Sequence, residues 1–151
     1  IAKNVFDDDH LRALDVKSAD LDAVGRSAIV ALLIGDPRQG RDFSVAAARL
    51  ARWATEQPEA GEPEYLLGRN FYQQGRYEAA AEHLDRAVER TIDSPRLRRE
   101  TFRMRVIVAL ALGDRATAER ALARWLAEPG SRIAQREGML RFARRFGLRV
   151  P

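Results

Sequence analysis

Residues 63–90 read PEYLLGRNFYQQGRYEAAAEHLDRAVER, and the choice of fold turns on them. Two apolar stripes at helical spacing stand on either side of a tight Gln74-Gly75-Arg76 turn. The first carries Leu67, Gly68 and Phe71; the second carries Tyr77, Ala80, Leu84 and Ala87. Small residues alternate with large ones, so two short helices can approach closely. Pro63 suits the first position of a helix, where its missing N–H costs no hydrogen bond. The spacing predicts an antiparallel pair over 63–74 and 76–90.

The pattern recurs on both sides. Phe43, Ala46, Leu50 and Trp53 stand at the mutual intervals of Tyr77, Ala80, Leu84 and Ala87, while Ala118, Leu122 and Trp125 repeat the last three. Leu50, Leu84 and Leu122 each precede an Arg by two residues and are separated by 34 and 38 positions. The excess of four is close to one helical turn, which leaves an apolar stripe in phase. A helix over 94–112, with Ser94 as cap and Pro95 at its first position, is expected to hold that turn. Its partner is predicted over 114–126, capped by Asp114, and an earlier helix over 42–56.

This arrangement resembles the tetratricopeptide repeat, a family with a period of 34. In that family a Leu-Gly pair precedes an aromatic by three residues, and a turn glycine follows seven after the first. An aromatic then opens the second helix, followed by Ala, a large apolar residue and Ala. Leu67-Gly68, Phe71, Gly75, Tyr77, Ala80, Leu84 and Ala87 occupy those places in order. The resemblance covers about residues 42–128, most tightly in the middle third, and the Arg-rich composition fits a bacterial genome with a GC-rich codon bias.

The resemblance implies an all-α fold, a right-handed α-α superhelix of about three helix-turn-helix repeats with a C-terminal capping helix. An N-terminal segment would cover 1–17, the helix pairs 18–56, 62–92 and 94–128, and the cap 131–147. The first helix of each pair lines the concave face in that family. The outward positions of the best-matched repeat are Tyr65, Arg69, Tyr72 and Gln73. Arg103 is the third repeat's equivalent of Tyr65, with Arg99 and Arg96 one and two turns earlier on the same face. The implied function is a non-catalytic scaffold that holds a peptide or partner domain in its groove. Members that clamp a terminal carboxylate use Lys and Asn where this chain has Tyr65, Arg69 and Met104, so that ligand class is not implied. Arg105 departs from the pattern, falling where a buried Leu is expected. Either its stem lies along the interface with its head in water, or the register of that helix shifts.

At the start of the chain, Asp7-Asp8-Asp9-His10 suits a helix start, where carboxylates meet unpaired N–H groups. Consecutive helical residues point about 100° apart, so these four cannot converge on one ion. A helix is expected over 19–34 behind Ser18, followed by a Gly35–Gly40 turn. That turn lacks the Lys-Ser or Lys-Thr of a phosphate cradle. The 57–63 stretch reads as loop. Residues 131–146 form a last amphipathic helix whose arginines would also suit a membrane surface, but a repeat stack needs a cover at its end.

At 151 residues and 46% hydrophobic content, the chain can bury roughly 70% of its unfolded surface without staples. Zero Cys excludes thiolate metal sites and suits cytosol and periplasm equally. No apolar run approaches the roughly 20 residues of a membrane span. The chain begins at Ile1, as expected of a domain excised from a longer protein, to which an enzyme could be fused. His10 and His83 lack the surroundings of a catalytic motif, and His83 reads as a solvated side chain. Glu62 and Glu64 read as servants of the helix dipole. No cofactor, metal or catalysis is expected. Charge is uneven: 1–75 balances to −3, and 76–151 to +7 with every basic residue an Arg. A polyanion or RNA binder is therefore the competing reading, disfavoured because no regular base-reading code is visible.

Overall fold

The computed structural model describes residues 43–151. The 1–17 segment with its Asp7-Asp8-Asp9-His10 cluster, the expected helix over 19–34 and the 35–40 turn lie outside the described residues. The fold is all-α. In chain order come α1 (Phe43–Glu56), α2 (Glu62–Gln73), α3 (Tyr77–Glu89), α4 (Pro95–Ala111), α5 (Arg115–Ala127) and α6 (Ile133–Arg145).

Local chemistry sets these boundaries. Ser94 Oγ accepts from Leu97 N at 3.3 Å to cap α4. The Asp114 carboxylate accepts from Thr117 N at 3.1 Å and from its hydroxyl at 2.6 Å to cap α5. α2 ends on Gly75 at φ +73°, a left-handed conformation that favours glycine. There Gly75 N donates to Tyr72 O and Arg76 N to Phe71 O, the paired bonds of a Schellman ending. Gly113 closes α4 and Gly147 closes α6 with the same two bonds each, also at positive φ. Thus α2, α4 and α6 end alike.

Packing follows the sequence stripes. Leu50, Leu84 and Leu122 are wholly buried, as are Ala80, Ala87 and Ala118. One cluster joins Leu50 and Trp53 to Tyr65, Leu66, Leu84 and Met104; a second joins Phe102, Leu122 and Trp125 to Met139 and Ala143 of α6. At Gly68 a Cβ would stand 2.7 Å from Leu84 Cγ and 2.9 Å from its Cδ2. That closeness is what the missing side chain permits. α4 has 17 residues against 12 in α2, so the extra turn lies where the spacing placed it. Between the pairs, Gly61 N donates to Thr91 O at 2.8 Å and Thr91 N to Glu59 O at 2.9 Å, tying the loop before α2 to the loop after α3.

Three readings of single residues change. His83 is no solvated side chain: its Nδ1 lies 2.6 Å from Glu64 Oε2, and its ring stacks on Phe71 at 5.1 Å. Glu64 is buried, and also meets Arg86 at 3.3 Å and Arg90 at 3.1 Å. Glu62, also buried, accepts from Asp93 N at 3.1 Å. Both carboxylates therefore cross-link segments as well as sitting in the first turn of a helix. Arg105 is buried along its stem, and its guanidinium forks onto Asp85 at 2.6 and 3.2 Å rather than ending in water. The register of α4 stands.

Candidate binding groove

The three helices that end alike also line one cavity of about 1050 Å³. α2 contributes Tyr65, Arg69, Tyr72 and Gln73; α4 contributes Arg96, Arg99, Glu100 and Arg103; α6 contributes Gln135, Gly138, Met139 and Phe142, with Trp125 of α5 behind them. All seven residues chosen from the sequence therefore border the same space. Their environments differ.

Tyr65 was expected to point outward. It is 2% exposed and belongs to the core. Burial, helped by the nearby Glu100 charge, pushes its phenol up to about 12, while Arg69 and Arg103 pull the other way. It stays protonated in ordinary buffers. Arg69 lies beside it and is half-buried. Tyr72 is half-buried and leans on Tyr77 across the turn, ring centroids 5.8 Å apart. Arg103 is forked onto Glu100 of its own helix at 2.9 and 2.6 Å. That hydrogen bond holds its guanidinium above the ordinary arginine value. Arg99 donates to Pro129 O at 2.7 Å and braces the loop before α6. Arg96 is exposed, with no hydrogen bond or ion pair among the described residues. Two buried oxygens of the lining residues, Gln73 Oε1 and Glu62 Oε2, lack partners among the described residues.

Electrostatically, four guanidiniums face two carboxylates around the cavity, an excess of two positive charges. Elsewhere five arginines of the second half are ion-paired. Arg86 and Arg90 meet Glu64, Arg98 meets Glu128, Arg105 meets Asp85, and Arg115 meets Glu119. Arg136 donates to Leu126 O at 2.7 Å. Among the described residues no group of three or more His, Asp or Glu is placed to hold a metal ion. No described helix is long and apolar enough to cross a membrane.

The contribution of α6 was missed from the sequence, where 131–147 was read only as a cover. A signal was present. Gly75, Gly113 and Gly147 are spaced by 38 and 34 residues, the two intervals of the leucines in reverse order. That spacing puts α6 in series with α2 and α4, and so on the groove. No protein-family model matches the chain, and comparison with curated proteins finds no match.

Proposed function

We propose that this chain is a tetratricopeptide-type helical-repeat module, right-handed in its superhelical sense, that binds a peptide or partner protein in the groove formed by α2, α4 and α6. One observation carries the reading: the residues a repeat register selects from sequence all border one cavity built from the equivalent helices. The spacing of the turn glycines and the tight Gly68–Leu84 approach support the register. The module acts as a non-catalytic scaffold. Among the described residues Ser94 is the one Ser, Thr or Cys in the lining, its oxygen serves as a helix cap, and no histidine shares that lining. Recognition rather than acid–base chemistry suits such a lining.

The polyanion reading draws on the same arginines, but six of the seventeen in 76–151 are ion-paired to carboxylates of the chain itself. An ion-paired guanidinium has little charge left to offer a phosphate. The test is to select binders from a random decapeptide library displayed on phage. Their contact sites are then mapped by amide chemical-shift changes. Shifts clustered on α2, α4 and α6, with affinity lowered about fivefold or more by Tyr72→Ala, are the expected result. Shifts confined to the outer faces of α3 and α5 would overturn the reading.

A further inference from the structure

We infer that the groove's occupant is an acidic peptide segment carrying a large apolar side chain, an inference that rests on the groove reading above. Charge decides its sign. Glu100 is taken by Arg103, and Glu62, whose Oε1 accepts from the Asp93 N–H, is the one remaining carboxylate of the lining against three arginines, an excess of two positive charges. Among the described residues Arg69, Arg96 and Arg99 have no carboxylate partner: Arg69 stands beside the Tyr65 phenol, Arg99 donates to a carbonyl, and Arg96 does neither. A guanidinium keeps its charge when it donates to a neutral oxygen, and its remaining N–H groups form a fork that matches a carboxylate. These cations stand on the facing helices α2 and α4, with Arg96 and Arg99 one turn apart on the same side. A ligand lying between the helices meets positive charge from both walls.

The surface between the cations is apolar. Ile107 and Phe142 are half-buried, and Met104, Met139 and Trp125 lie beneath them. Methionines adapt their shape to an inserted side chain. A volume of about 1050 Å³ stands at the top of the range for small-molecule pockets, roughly 300–1,000 Å³, and it opens along three helices, as suits an extended chain. An extended chain with one bulky apolar residue flanked by Asp or Glu satisfies wall and floor together. A basic peptide meets like charge, and a purely apolar one leaves Arg69 and Arg96 to be desolvated without a partner.

The experiment uses the whole 151-residue chain and decapeptides from the random library, synthesised with blocked ends and measured by fluorescence anisotropy. Arg96 is exposed and unpaired, so Arg96→Gln leaves folding intact, which a melting curve verifies. The expected result is enrichment of Asp and Glu around Leu, Ile, Phe, Met or Trp. Arg69→Gln with Arg96→Gln should weaken those peptides at least about tenfold, and replacing the apolar residue by Gly should do the same. Neutral or basic peptides that are lost on Tyr72→Ala would overturn the acidic inference and leave the groove standing. Peptides indifferent to Tyr72→Ala and to both Arg substitutions would overturn the groove as well. Failure to enrich any decapeptide, or tight binding of oligouridine in its place, also overturns the acidic inference.

Discussion

Gly68 and Gly138 both lie inside helices, and the chain uses them differently. A methyl group on Gly68 would stand 2.7 Å from Leu84 Cγ, the branch point of a wholly buried side chain, and 3.3 Å from Ala80 O. Neither atom is the free end of a flexible chain. At Gly138 the nearest atom is Arg141 Nη2 at 3.9 Å, an ordinary contact. Alanine gains about 1 kcal/mol of helix propensity over glycine in either place. Overpacking costs about 1–3 kcal/mol at Gly68 and nothing at Gly138. Gly68→Ala should therefore lower stability by about 1 kcal/mol, and Gly138→Ala should raise it by about 0.5–1 kcal/mol. Urea unfolding of both variants checks the pair; a stabilised Gly68→Ala would refute the close approach. Gly68 was legible because small residues at helical spacing announce a close crossing. The His83–Glu64 contact was not legible. Its partners are 19 residues apart and meet only once α2 and α3 are antiparallel, so local pattern could not distinguish it from two solvated side chains.

Between elements, ion pairs add to what the apolar stripes establish. Glu64, in the first turn of α2, gathers His83, Arg86 and Arg90 from the later turns and the end of α3. Burial alone would raise its pKa. The hydrogen bond and electrostatic attraction of His83, with the charges of Arg86 and Arg90, outweigh burial and bring it below the ordinary 4.5. A carboxylate depressed on folding stabilises the fold above its unfolded value and loses that contribution as pH falls through its folded value. The chain should therefore lose stability in acid, starting below pH 4.5. Glu64→Gln removes the titrating group. It should cost about 1–3 kcal/mol near neutrality, since the partners retain partial access to water. Its disadvantage should shrink progressively in acid. Urea midpoints from about pH 6 down to about pH 3 measure this; a disadvantage constant with pH would show that the cluster contributes packing alone. Helix boundaries, by contrast, were readable almost to the residue, because Ser94, Asp114, Gly75 and Gly113 each act within one turn. The part α6 plays is carried by the glycine spacing across the whole chain, which no signal acting within one turn of 131–147 contains.

For the whole molecule, net charge and its distribution favour different partners. The formal charge of +4 and the basic second half suggest a polyanion, yet folding joins six of its seventeen arginines to Glu64, Glu100, Glu128, Asp85 and Glu119. Composition could not reveal this, because four of those six pairs join residues at least 20 positions apart. What the groove itself offers is an excess of two positive charges. The salt dependence of binding follows from that excess. A peptide neutralising both should show log affinity falling against log salt with a slope near −2 or shallower, whereas RNA displaces about 0.7 counterions per phosphate contacted, so six contacts give a slope near −4. Titration of a selected acidic decapeptide and of oligouridine at several salt concentrations separates the two. The peptide should bind more tightly at physiological salt and weaken with Tyr72→Ala. Oligouridine should bind weakly, with affinity insensitive to that substitution. A steep slope for tightly held oligouridine, lost when exposed Arg141 and Arg144 on α6 are replaced, would move the functional surface from the groove to the outside of the last helix.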